Sequence, residues 1–150
     1  MLRVILIILL IFNAIGAYYG SFMLITDPTG VAIKMPPDML QGAPFQDYFV
    51  PGIILLLVNG VLPSLAVLGL LRKSPLVPLP YFPVLKNHHW GWTLALLSGL
   101  GLLCWMGVQI ALLGYYAEFP IQGLMSVIGA LTTGLALVPS VRNSYKIHGA

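Results

Sequence analysis

The carboxamides Asn13, Asn59 and Gln109 interrupt otherwise apolar runs in this chain. A carboxamide donates and accepts hydrogen bonds, and burying one unpaired among apolar groups costs roughly 2–7 kcal/mol. In lipid each must therefore face inward, toward a partner. One reading is interhelical glue, with Asn13 bonding Asn59 or either bonding a backbone carbonyl freed by Pro63. The other is a polar lining for a small-molecule site between the first and second apolar runs. Gln109 belongs to the outer part of the third run and can join a polar patch with Gln122 and Glu118. No Asp, Glu, Lys, Arg or His falls inside the four apolar runs. Proton relays, voltage sensors and many ion-coupled carriers depend on intramembrane ionisable groups. Proton-driven transport is therefore disfavoured, while facilitated transport and lipid contact stay open.

Ingredients for catalysis are sparse. The histidines are His88, His89 and His148, and two adjacent histidines cannot share one helical face. No soft ligand lies near them in sequence, so interfacial histidines are expected rather than a metal site. Asp27, Asp38 and Asp47 match no calcium-loop spacing. Cys104 is the single cysteine, which excludes an intrachain disulfide and a Cys-x-x-Cys site. No nucleophile–base pair emerges, and the histidines lie away from the acids. The expectation is no enzymatic activity, no catalytic residue, no metal and no cofactor.

The elements that must carry these residues are set by composition. Hydrophobic residues make up 59% of the chain and charged ones 7%, with a mean hydropathy of +0.95. Soluble domains carry about 25% charged residues, so most of this surface must face lipid. Four stretches approach the roughly 20 apolar residues that a membrane crossing needs. They run over residues 4–25, 51–71, 91–113 and 121–138, the last being the shortest. The predicted fold is all-α, a single four-transmembrane-helix bundle spanning 1–150. Arg3, the following apolar run and Ala14-Ile15-Gly16 also resemble a signal peptide. Against that, the apolar run continues through Tyr18, Phe22 and Leu24. Pro63 lies inside the second stretch and should kink it near Asn59.

Charge orders the ends. Asp27, Asp38, Asp47 and Glu118 fall in the first and third gaps. Arg3, Arg72, Lys73, Lys86, Arg142 and Lys146 fall at the N-terminus, in the second gap and at the C-terminus, and Lys34 alone breaks the pattern. Cytoplasmic flanks retain Lys and Arg, so both termini are expected in the cytoplasm. The pI near 9.2 then reflects orientation signals and anionic-lipid contacts, with no nucleic-acid partner. Trp90 and Trp92 should mark the inner interface, and Tyr48, Phe49, Tyr115 and Tyr116 the outer one.

The gap between the first two helices is the most distinctive segment. Asp27-Pro28-Thr29-Gly30 is a turn signal, and Pro37 can open a short helical turn through Leu40. Val31, Ile33, Met35, Met39, Leu40 and Phe45 make the loop apolar for its position. It should fold over the bundle as an external lid, plug or partner-docking surface, with Asp27, Phe45, Asp47 and Tyr48 as candidate residues. The internal gap carries Pro75, Pro78, Pro80 and Pro83 and should be extended along the inner face.

Lipid supplies little hydrophobic drive between helices, so small residues must allow close packing. Gly16 and Gly20, then Ser126, Ala130 and Gly134, form such ladders, with Gly107 and Ala111 a third. Packing within the monomer is their first use and a dimer face the second. From Gly20 to Gly60 the chain carries Asp27-Pro28-Thr29-Gly30, Met35-Pro36, Leu40, Ala43-Pro44-Phe45, Asp47-Tyr48, Pro51-Gly52 and Asn59-Gly60. This segment, about a quarter of the chain, resembles a pattern in small uncharacterised bacterial four-helix integral membrane proteins. The resemblance implies an inner-membrane bundle with an external loop and brings no activity or catalytic residue with it. The expected function is an accessory or scaffold subunit binding another membrane protein, or a homo-oligomer, among membrane lipids. The alternative is an oligomeric small-solute or lipid transporter or channel with a polar site between helices 1 and 2.

Overall fold

The computed structural model describes residues 1–35, 37–72, 88–115 and 120–147. They form α1 (Leu2–Thr26), α2 (Phe49–Arg72), α3 (Trp90–Leu113), α4 (Ile121–Leu137) and a short α5 (Pro139–Asn143). Two 3-10 turns, Val31–Ile33 and Pro37–Leu40, shape the α1–α2 loop. No strand occurs among the described residues; His88 and Lys146 form a single antiparallel bridge. α1, α2 and α3 are long and apolar enough to cross a membrane, and α4 is a shorter apolar helix of 17 residues. At 1.5 Å per residue α4 is about 25 Å long. The predicted helices differ from the observed ones by no more than two residues at any end. Large apolar side chains such as Ile8, Phe12, Leu57, Val108 and Leu131 cover the outside, as expected for a lipid-facing surface.

Pro63 disturbs α2 about one turn back, around Asn59. Proline has no N–H, and its ring crowds the carbonyl four residues back, that of Asn59. The helix answers by widening into a π turn over Leu56–Val61. The distortion sits where the proline predicts it.

Among the glycines of the helices, the tightest surroundings fall at positions outside the small-residue ladders. A Cβ on Gly69 would sit 2.5 Å from the Gly91 Cα, so α2 and α3 touch backbone to backbone there. A Cβ on Gly99 would lie 2.8 Å from the Thr133 amide nitrogen, which fixes α3 against α4. The predicted α4 ladder is otherwise disposed. Ala130 and Gly134 are exposed, and a Cβ on Gly134 would meet nothing within 4 Å. The Ser126 hydroxyl donates to the Gln122 carbonyl of its own helix at 2.8 Å. Packing within the monomer is therefore not the use of this ladder. Gly107 and Ala111 are likewise exposed.

The basic residues gather at one end. The Arg3 guanidinium donates to the Leu70 carbonyl and lies 5.3 Å from the Tyr145 ring centre. The Tyr145 hydroxyl donates to the same carbonyl at 3.1 Å. The His89 amide donates to the Tyr145 carbonyl at 2.8 Å, and Arg142 Nε donates to His88 Nε2 at 3.3 Å. Trp92 is buried, donates through Nε1 to the Ala136 carbonyl at 2.7 Å and stacks on His88. It ties helices together and does not mark an interface. Leu6, Leu10, Ala66, Leu70 and Ala95 fill the space beneath. Asp27, Asp38 and Asp47 lie in the loop at the other end of α1. Lys73, Lys86 and the prolines of the internal gap, with Tyr116, Glu118 and His148, lie outside the described residues.

Two predictions follow from this packing. Gly69→Val should exceed the roughly 1–3 kcal/mol of ordinary overpacking, because backbone cannot yield as a side chain can. Size-exclusion profiles in detergent should show little folded protein, whereas Gly107→Val, with open space around it, should behave as wild type. Burial, then the charges of Arg142 and Lys146, hold the His88 imidazole below its ordinary 6.5. The unfolded chain takes up that proton first as pH falls, so stability should decline on acidification below about 6.5. Thermal melts should show this slope in the wild type and a flatter one in His88→Phe.

Candidate functional site

A cavity of about 510 Å³ lies between α1, the first turns of α2, the last turns of α3 and the start of α4. It exists because α1 presents no side chain where one would fill it. Gly16 and Gly20 line the wall, and a Cβ on Gly16 would reach only ordinary contact with Met125, at 3.5 Å. The first small-residue ladder thus has two uses: Gly16 shapes the cavity, and Gly20 also lets the Leu55 side chain of α2 approach, where a Cβ would lie 3.2 Å from it. Leu102, Trp105, Met106 and Met125 are among the residues of the opposite wall.

The α1–α2 loop forms the roof. Asp27 holds its first turn, accepting from the Thr29 hydroxyl and amide through Oδ1 and from the Ala32 amide through Oδ2 at 2.9 Å. The Thr29 hydroxyl, then the Ala32 amide, hold the Asp27 carboxyl below its ordinary value. Gly30, at φ +73°, follows, and a Cβ there would come 2.7 Å from the Tyr48 ring. The Tyr48 amide donates to the Pro28 carbonyl at 2.9 Å, which closes the loop on itself. Asp47 Oδ1 accepts from the Phe49 amide at 2.9 Å and so opens α2. Leu24, Leu40 and Tyr48 form a small core, with Met35, Leu55 and Leu113 packed against it. Ile33, Lys34, Met35, Met39 and Phe45 then face the cavity.

Tyr48 is 2% exposed, which removes it from any docking surface and from the outer interface. Asp27 and Asp47 are engaged with loop amides. Of the four predicted loop residues, Phe45 alone lines the cavity through a side chain without a fixed role in the turn, and Tyr48 holds the roof from within.

The carboxamides separate into two groups. Asn13, buried to 5% exposure, lines the cavity together with Gln109 and Gln122. Gln122 Nε2 donates to the Gly114 carbonyl at 3.2 Å, joining the start of α4 to the end of α3. Asn59 is absent from this wall. It is fully buried within the π turn, and neither of its amide atoms has a hydrogen-bond partner among the described residues. The expected bond between Asn13 and Asn59 does not form, nor does one from the Asn59 side chain to a freed carbonyl. An extra residue in a helical turn shifts the following face by about 100°, so regular helical spacing misplaces Asn59. The polar site falls between α1, α3 and α4 rather than between the first two helices. Lys34 was visible in the sequence only as the exception to the charge pattern.

No family model, curated protein or solved structure matches this chain. The site is therefore read from its own geometry: apolar walls, three carboxamides at different depths, one ammonium and a folded roof. Among the described residues no group of three His, Cys, Asp or Glu side chains is placed to hold a metal ion. The π turn makes its own prediction. A buried amide without a partner costs about 1–3 kcal/mol, so Asn59→Leu should raise the melting temperature in detergent. A fall would mean that the amide is glue after all.

Proposed function

We propose that this chain is a four-pass protein of the bacterial inner membrane that holds a single-chain, lipid-like molecule beneath its external loop. The observation that carries this reading is the roofed apolar cavity. Its volume lies within the roughly 300–1,000 Å³ of small-molecule sites. Along α1 the wall runs from Asn13 to Leu24, about 16 Å at 1.5 Å per residue, a length suited to an extended chain. Both termini lie in the cytoplasm on this reading. The gathering of Arg3, Arg72, Arg142 and Lys146 at the end opposite Asp27, Asp38 and Asp47 supports that orientation. α4, the shortest crossing, spans where the bilayer is locally thinned. The role is binding or passage of the molecule, with no chemistry performed on it.

A second reading, as a subunit of a larger membrane assembly, is favoured by one observation. Ala130 and Gly134 leave α4 bare on its outer face, where another helix could approach closely. The two readings are compatible, since that face is not among the residues lining the cavity.

Orientation is tested by cysteine labelling in a Cys104→Ala background. A cysteine at Thr29 should react with an impermeant reagent from outside the cell and one at Ser144 only after permeabilisation; the reverse would invert the topology. Occupancy is tested by Gly16→Leu, which places a side chain in the cavity. Binding of a fluorescent long-chain probe should weaken at least about tenfold while the melting temperature holds or rises, since leaving glycine gains up to about 1 kcal/mol of helix propensity. Unchanged binding would remove the cavity from the account.

A further inference from the structure

Resting on the cavity reading above, we infer that the preferred occupant is an anionic amphiphile, a single chain ending in a carboxylate or phosphate held by Lys34. Lys34 is the one basic residue that the described chain places on the acidic side of the bundle, and it lines the mouth of the cavity. Its backbone is fixed. The residue sits at φ +58°, ψ +34°, and its amide donates to the Val31 carbonyl at 3.0 Å. A left-handed conformation is costly for a residue with a Cβ and persists where the surroundings impose it. Here it is held at the end of the Val31–Ile33 turn, beside Met35 in the roof.

The nearby carboxylates do not answer this charge. Asp27 is satisfied by Thr29 and Ala32, and Asp47 by the Phe49 amide. Asp38 is exposed and is not part of the cavity wall. Lys34 forms no ion pair among the described residues. A carboxylate or phosphate at the mouth would gain a charge-assisted hydrogen bond from the ammonium. The same charges fix the direction of the chain. The deeper wall, at Asn13, offers neutral groups alone, with Gln109 and Gln122 nearer the loop end, and an anion at Asn13's depth would lose hydration with no opposite charge beside it. The head therefore stays under the loop and the chain runs down past Gly20 and Gly16.

The test uses the full chain in phosphatidylcholine nanodiscs at alkaline pH, with a fluorescent long-chain probe bound. Palmitate, palmitoyl lysophosphatidate and hexadecanol, matched in chain length, compete for the site. Each anion should displace the probe at about one tenth of the alcohol's concentration or less, a difference of about 1.4 kcal/mol. Lys34→Gln should bring both anions to the alcohol's level and leave the alcohol unchanged, and Lys34→Arg should keep the preference. The stronger of the two anions identifies the source as a fatty acid or a phospholipid. If hexadecanol competes as well as the anions, or the preference survives Lys34→Gln, the head-group inference is overturned while the cavity reading stands. If no chain competes and Gly16→Leu leaves probe binding unchanged, the cavity reading fails with it.

Discussion

The backbone contact between Gly69 and Gly91 sets the shape of this bundle. With no side chain on either residue, α2 and α3 meet at the end where the chain is basic. The Leu70 carbonyl, one residue on, then accepts from Arg3 and from Tyr145, which draws α1 and the C-terminal segment to the same point. Trp92 reaches across to the end of α4. One end is thus closed by direct helix contact and by hydrogen bonds among buried groups. At the other end α1 and α2 still pack closely, a Cβ on Gly52 lying 3.0 Å from the Leu24 Cβ, but the helices leave open the space between α1, α3 and α4. That end is closed by the α1–α2 loop, and the space left beneath that loop is the cavity. A bundle tight at both ends would have no room for a ligand, and one open at both ends would not need a roof with its own small core.

The physical logic of the roof is that of any loop at a membrane boundary. Its backbone amides need partners, and Asp27, Asp47 and the Pro28 carbonyl supply them within the loop itself. Its apolar side chains need cover, and Leu24, Leu40, Tyr48 and Leu113 give it. The cavity side of the roof carries Met39, Phe45 and the Lys34 ammonium, which neither requirement uses, beside Ile33 and Met35, which also pack on that core. Residues left over from folding are those free to meet a ligand.

Much of this was legible in the sequence, and the boundary of legibility is instructive. The helices could be read because lipid imposes a length and forbids charge, and their ends came within two residues of those observed. The turn at Asp27 could be read because its chemistry is local. The π turn was only half visible: Pro63 marks the place, but not the register in which Asn59 emerges. Contacts between distant glycines were not visible, because a small-residue ladder looks the same whether it meets a helix, a cavity or lipid. Gly16 met a cavity, Gly20 both the cavity and the Leu55 side chain of α2, Ala130 and Gly134 the outside, and backbone-to-backbone contact fell on Gly69 and Gly91. Aromatic residues misled for a related reason. Trp92 and Tyr48 stand where interfacial anchors stand, yet each is buried, by a bond to Ala136 and by the fold of the loop.

The central claim is that the space beneath the loop is a binding site for one chain-bearing molecule. Native mass spectrometry of the protein, extracted gently from its own membrane, tests it most directly. The expected result is a protein species heavier by a single amphiphile of acidic character, retained at collision energies that strip loosely held detergent and annular lipid. A bare chain, or a chain accompanied only by a stoichiometric second polypeptide, would contradict it.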